Sequence, residues 1–426
     1  MGAFTRATTA TRSRSIKAVV SSVAIIGASV LVLSGCSTGG SSSTSASDLT
    51  LKLGTILPQT GSLATLGPPA IEAVNLAVAD INAAKKGITL SVTQKDSGDT
   101  TTNIATQSVT SLLTDGVSAI IGAESSSVSL TVIDQIAKAN VVQLSPANTS
   151  PKLSTYPDNG FYFRTAPSDV LQGKVLGEKV VKDGATNVAI LYQNDSYGQG
   201  LNDNVKKAIL AQGAKVAADV SFDPAATSFT TEVSSIIASK PDAIVAITFD
   251  QIKQIVPLLK TAGWDFNKFY GSDGNYGVID PTFTDVDIAG AQFTNPGVNA
   301  SADFQAQINK QATADGAKPV TVFSYGPESY DGVVVLALAA LQGKATDGVT
   351  LKNNLQSVTT GANDCKTFAA CADLIKAGKP IHYQGLSGPI AFDKNGDPTQ
   401  AYISIYKYGK GNTNSFTSAE FGDLTK

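Results

Sequence analysis

Residues 117–151 read VSAIIGAESSSVSLTVIDQIAKANVVQLSPANTSP. An apolar run (Ala119, Ile120, Ile121) stops at Gly122, and Ser125, Ser126 and Ser127 follow at once. Val132, Ile133 and Ile136 then share one helical face. A second apolar run (Val141, Val142, Leu144) gives way to Ser145-Pro146-Ala147-Asn148-Thr149-Ser150. The order is strand, polar turn, helix, strand, polar turn. In a parallel α/β sheet both turns leave the carboxyl ends of neighbouring strands, where ligands bind. Hydroxyls and backbone N–H groups at a helix N-terminus suit a carboxylate or another small anion. The same serines also suit a purely structural duty as helix caps.

Upstream the pattern repeats. Leu49, Leu51 and Leu53 alternate as a strand that continues to Leu57, and Pro58-Gln59-Thr60-Gly61 makes a turn. Pro68 and Pro69 open a helix carrying Ile71, Val74, Val78 and Ile81 at helical spacing. A second strand (Ile88, Leu90, Val92) and a helix over 104–114 lead into the quoted stretch. Four strands alternating with three helices predict a doubly wound parallel sheet.

A similar run begins after Asn159-Gly160. Strands are expected over 188–192, 215–222 and 243–249 and from Phe269, with helices over 200–211, 229–239 and 251–262. The exits are Asn194-Asp195-Ser196-Tyr197-Gly198 and Gly271-Ser272-Asp273-Gly274. Beyond Gly297 the chain reads as mostly helical, with helices over 301–313 and 325–341. Late strands are expected over 388–392 and 401–408, joined by an Asn395-Gly396 turn. The fold class is therefore α/β, with two Rossmann-like halves of similar order. At roughly 150 residues per domain, 426 residues suggest two or three domains.

The amino-terminal end stands apart. Arg6, Arg12, Arg14 and Lys17 precede an apolar segment over 18–33, and no acidic residue occurs before Asp48. That order is a secretory signal peptide over residues 1–35. Leu33-Ser34-Gly35-Cys36 resembles the lipobox of bacterial lipoproteins, in which the cysteine is lipidated and becomes the new amino terminus. An ordinary signal peptide or a membrane-spanning anchor is the alternative. The Gly/Ser/Thr tract within 36–48 has the composition of a flexible tether. The expected location is extracytoplasmic, held to the membrane through Cys36.

The full chain carries a net charge of −3. Losing the four leader cations takes it to about −7, which argues against nucleic acid or an anionic membrane surface as the main partner. Cys365 and Cys371, in CKTFAAC, suit a disulfide outside the cell better than a metal site.

Enzymatic motifs are scarce. The single histidine, His382, rules out a two-histidine mechanism or a histidine-based metal centre. No G-x-S-x-G elbow, S-x-x-K pair or P-loop occurs. Gly198-Gln199-Gly200 follows a strand, but the third fingerprint position is Asp203. The reading is a non-enzymatic chain with no cofactor and no metal. The enzymatic alternative is a surface hydrolase working through a carboxylate pair.

These residues converge on a resemblance. Pro58-x-Thr60-Gly61 with Gly67, Asp80-Ile81-Asn82-Ala83, Ile121-Gly122 before the serines, and Ser145-Pro146-Ala147 carry its first half. Phe163-Arg164-Thr165, Gln172-Gly173, Tyr197-Gly198-x-Gly200, Gly271-Ser272-Asp273-Gly274 and Phe392-Asp393 with Gly396-Asp397 carry the rest. In that order and spacing, residues 49–409 resemble the periplasmic branched-chain amino-acid binding proteins, the substrate-binding components of ATP-driven importers.

The resemblance implies the type I periplasmic binding protein fold, two lobes joined by a three-strand hinge and closing on a ligand. Crossovers near Ser168, Gly297 and Gly385 would give lobe I as 49–168 plus 298–384, and lobe II as 169–297 plus 385–426. It implies that Ser126 and Thr149, with the backbone of Ala147, hold a ligand α-carboxylate, and that Asp273 holds the α-ammonium. Tyr197 would close over the ligand, and Asp169 is an acidic cleft residue near the first hinge. The implied partners are a small amino acid and the ABC permease subunits, and the chain would act as a monomer. A sensor of the same fold, binding an amide or small carboxylate, is the alternative.

Departures fall in the side-chain pocket. Leu66 stands where branched-chain binders place a tyrosine, Thr248-Phe249-Asp250 replaces a tyrosine-rich exit, and Gly98 and Ser125 replace a cysteine pair. Glu124 adds an acid beside the serines.

Overall fold

The computed structural model describes residues 48–425. The leader, Cys36 and nearly all of the tether lie outside the described residues.

Leu49–Leu57 (β1) and Ile88–Asp96 (β2) pair in parallel, with Leu53 opposite Val92, and Gly67–Ala84 (α1) crosses between them. Pro68 and Pro69 fall in the first turn of α1, where a missing N–H costs nothing. Ile104–Thr114 (α2) returns the chain to Ala119–Gly122 (β3), Ser126–Lys138 (α3) and Val142–Ser145 (β4), as the 117–151 stretch predicts. A fifth short strand, Tyr162–Arg164 (β5), had no periodicity to reveal it. All neighbours are parallel and the order is β2-β1-β3-β4-β5, so the topological switch lies between β1 and β3.

The second sheet repeats this plan. Asp169–Lys182 (α4) leads to Asn187–Gln193 (β6), Ser196–Ala211 (α5), Lys215–Phe222 (β7) and Thr230–Ala238 (α6). Ala243–Ile247 (β8), Ile252–Thr261 (α7), Phe269–Gly271 (β9) and Gln292–Pro296 (β10) complete the parallel part. Its parallel order, β7-β6-β8-β9-β10, matches the first sheet strand for strand, and its switch lies between β6 and β8.

Beyond β10 come Ala302–Ala314 (α8), Gly326–Gly343 (α9), Gly348–Val358 (α10), Asn363–Cys365 (β11), Phe368–Lys376 (α11), Ile381–Gly385 (β12) and Gly388–Pro389 (β13). Two antiparallel strands, Gln400–Tyr408 (β14) and Asn414–Asp423 (β15), extend the second sheet beside β10. Helix α9 is apolar all round because it is buried all round, packed on α1 and α10 over the first sheet. Among the described residues no single helix is long and apolar enough to cross a membrane.

The expected strand over 388–392 is corrected. Only Gly388–Pro389 pairs, with β12, and Phe392 makes an isolated bridge to Pro398. Pro389 has no N–H to carry the ladder on, and the 393–397 turn bends the chain away. The two helices expected beyond Gly297 are present as α8 and α9, and α10 and α11 are added to them. The short pair β11 and β12 and the polar edge strand β15 lack the apolar alternation that would have revealed them. Cys365 and Cys371 form a disulfide, with Cα atoms 5.3 Å apart.

Candidate functional site

The two switch points face each other, and the loops leaving them make one site. On the first sheet, Gly122 turns the chain with φ +112°, and a Cβ there would lie 2.2 Å from the Ile56 carbonyl. Only glycine permits that approach. Ser125 is the cap of α3, its hydroxyl accepting from the Val128 N–H. Ser126 is not. Its Oγ accepts from the N–H groups of Thr149 and Ser150, at 3.3 and 3.2 Å, and so ties the β3 exit to the β4 exit. Ser145 fixes the same loop, accepting from Ala147 and Asn148 N–H and donating to the Ala123 carbonyl.

Arg164, fully buried, supports this loop from below. Its guanidinium donates to the carbonyls of Asn148 and Ser150 and forms a two-point ion pair with Asp397 at 2.6 and 2.8 Å. The Phe163-Arg164-Thr165 and Gly396-Asp397 signposts thus meet in space.

On the second sheet, Asp195 caps α5 and aims Tyr197 inward. The Tyr197 hydroxyl donates to Asp273 Oδ1 at 2.9 Å, and its ring stacks on Phe249 with centroids 5.3 Å apart. Gln172 Nε2 donates to the same oxygen at 2.7 Å, and the Tyr325 hydroxyl donates to Oδ2 at 2.6 Å. Burial raises the Asp273 pKa above the usual carboxylate range, while the three donors pull it back.

Leu66, Ser126, Ala147, Tyr197, Phe249 and Asp273 all line one cavity between the lobes. Leu63, Glu124, Ser125, Gly274 and Tyr325 complete its wall. The space left is ≈10 Å³, room for about one water. Cross-lobe bonds keep it narrow. Ser127 Oγ donates to Asp195 Oδ2 and accepts from the Ser196 N–H, both at 2.9 Å, and Ser150 Oγ donates to the Ser196 carbonyl.

Thr149 and Asp169 do not line the cavity. They lie one layer behind Ser126, where the Asp169 N–H donates to the Thr149 carbonyl at 2.7 Å. The buried Asp169 carboxylate has the Thr149 hydroxyl beside it, which favours its charged form. Burial, and then the negative charge of Asp273, push Asp169 well above the usual carboxylate range. Ala147 reaches the cavity, but its N–H is engaged by Ser145.

Sequence reading missed Tyr325 and Leu63, noted Glu124 only as an added acid beside the serines, and gave Gln172 no part in the site. Tyr325 stands at the start of α9 with φ +60°, directly before the Gly326-Pro327 helix opening. That lone aromatic at a proline-marked helix start was the available signal. Both Glu124 oxygens lack a partner, and burial raises its pKa well above the usual value. His382 is remote from the site and pairs with Asp364.

Two matched parallel-sheet lobes, with both switch points opening on one enclosed polar cavity, define a solute-binding protein. The chain belongs to the periplasmic binding protein family, matching it over residues 50–412. That is a family of solute-binding proteins rather than enzymes. A Leu/Ile/Val-binding protein homolog from Brucella abortus is 36% identical over 182 residues, covering 40% of this chain and 46% of the relative. The chain thus spans about half the length of the first curated relatives it matches. The branched-chain amino-acid substrate-binding protein LivJ of Streptococcus pneumoniae, solved with isoleucine, superposes with TM-score 0.69 at 23% identity, over 88% of this chain and 99% of that one. A solute-binding protein of R. palustris, solved with 4-hydroxybenzoate, gives TM-score 0.71 at 16% identity, over 88% and 98%.

Proposed function

We propose that this chain is the substrate-binding protein of an ABC importer, anchored outside the membrane through a lipid on Cys36. It captures a small amino acid between its lobes and delivers it to the permease. Lobe I is assigned to 49–168 plus 298–384, and lobe II to 169–297 plus 385–426.

One observation carries this reading: Ser126 of the first sheet and Asp273 of the second line the same cavity. A zwitterion needs donors at one pole and a carboxylate at the other, and charge-assisted hydrogen bonds in a desolvated site are strong. Dividing the poles between lobes makes the closed form the one the ligand favours, because only that form satisfies both. With ≈10 Å³ between the walls, entry requires the lobes to part, by a hinge motion about their connections. Thr149 and Asp169 act from behind, holding the β4 exit and the start of α4 in place. Relatives of this fold carry isoleucine or an aromatic acid. The buried acid Asp273 favours a ligand with a cationic nitrogen.

A thermal-shift screen of the full chain against amino acids, amides and small carboxylates tests the proposal. Saturable stabilisation by an amino acid is expected, and Asp273→Ala should weaken that binding at least ten-fold, about 1.4 kcal/mol. Turnover of a ligand, abolished by changing Ser126 or Asp273, would replace the proposal with a hydrolase.

A further inference from the structure

The polar side chains of the cavity wall differ in what they still lack. Ser125 is committed as a helix cap, Ser126 to two backbone N–H groups, and Asp273 to three donors. The hydroxyls of Tyr197 and Tyr325 are committed to Asp273. Glu124 alone has nothing. It is 3% exposed, it lines the cavity, and neither carboxyl oxygen has a hydrogen-bond partner. A buried acceptor left unmatched is costly, and more so if charged, so native sites rarely keep one without a purpose. The hydroxyls that share the wall are engaged elsewhere, and Leu63, Leu66, Ala147 and Phe249 make up its apolar part.

Resting on the amino-acid clamp proposed above, we infer that Glu124 reads the ligand side chain, and that the substrate is an amino acid whose side chain ends in N–H donors, a primary amide or an amine, rather than an aliphatic one. An amide suits Glu124 in either protonation form. Ionised, the carboxylate accepts two N–H bonds; neutral, it accepts one and donates one to the amide oxygen. An aliphatic side chain would seal the acid in without a partner. A site built to bond a polar group rejects an apolar isostere strongly for this reason.

Leucine, asparagine and aspartate share one heavy-atom skeleton, so a titration of the full chain with each separates shape from chemistry. Glutamine and ornithine supply a longer amide and an amine. The expected result is that asparagine, glutamine or ornithine binds at least ten-fold tighter than leucine, with aspartate weaker than asparagine. Glu124→Leu should shrink the preference over leucine at least ten-fold. Should that variant fail to fold, Glu124→Met, apolar but unbranched and of similar length, tests the same ratio and should narrow it likewise. Leucine, isoleucine or valine binding as tightly as the nitrogen-bearing ligands, in a manner lost in Asp273→Ala and untouched at Glu124, overturns this inference and leaves the clamp standing. No saturable binding of any amino acid to the wild-type chain overturns both.

Discussion

The Tyr325 hydroxyl donates to Asp273 Oδ2 at 2.6 Å, joining the first turn of a helix packed on one sheet to the strand exit of the other. The protein thereby places one of its own donors on the acid proposed to receive a ligand ammonium. A hydrogen bond to a charged group is worth about 1.5–3 kcal/mol, enough to bias a hinge equilibrium toward closure. Tyr325→Phe should therefore populate a more open form. Small-angle scattering of the ligand-free variant should show a larger radius of gyration than wild type. An identical scattering curve would remove this bond from the closing balance.

Arg164 is a positioning residue, since it holds the Asn148 and Ser150 carbonyls and the Asp397 carboxylate without reaching the cavity. Arg164→Met leaves Asp397 without its cation, a loss of about 3–5 kcal/mol for a buried pair. Denaturant unfolding should show that drop. Pairing it with Asp397→Leu should recover part of it, because the uncompensated charge is gone.

Acid titration should find Glu72. Burial, reinforced by the neighbouring Asp315 carboxylate, raises its pKa from 4.5 to about 7. The folded state thus holds a proton that the unfolded chain gives up near pH 4.5, so this contribution is full below that pH and fades as pH rises toward 7. Melting temperature followed from pH 4.5 to 7 should fall less steeply in Glu72→Gln than in wild type. The other buried acids titrate in both proteins and cancel in the comparison. Parallel curves would mean that Glu72 ionises normally.

The Cys365–Cys371 bridge closes a short loop, and neither cysteine lines the cleft cavity. Replacing both cysteines with serine should cost about 2 kcal/mol of stability and leave ligand affinity unchanged. A loss of binding instead would connect this corner of the fold to the hinge.

Strand exits were legible wherever an apolar run met glycine and serine, as at Ile121-Gly122 and Gly271-Ser272, because burial on both faces of a parallel sheet leaves a plain sequence mark. That mark led to Ser126, Tyr197 and Asp273, which share one cavity. Strands β5, β11 and β12 were not legible. Three to five residues give too little periodicity, and their pairing is imposed from elsewhere in the chain. Tyr325 was hidden for a related reason: it lies 52 residues from Asp273 in sequence, and only the packing of α9 on the first sheet brings it there. Thr149 and Asp169 show the converse limit, since a motif position marks a loop without telling which side chain of that loop faces the cavity.

The most direct test of the central claim is a crystal structure of the full chain with the amino acid that stabilises it most. The account predicts the ligand ammonium within hydrogen-bond distance of Asp273 and its carboxylate at Ser126, with a lobe on each side. A ligand bound outside this cleft, or one touching a single lobe, would contradict it.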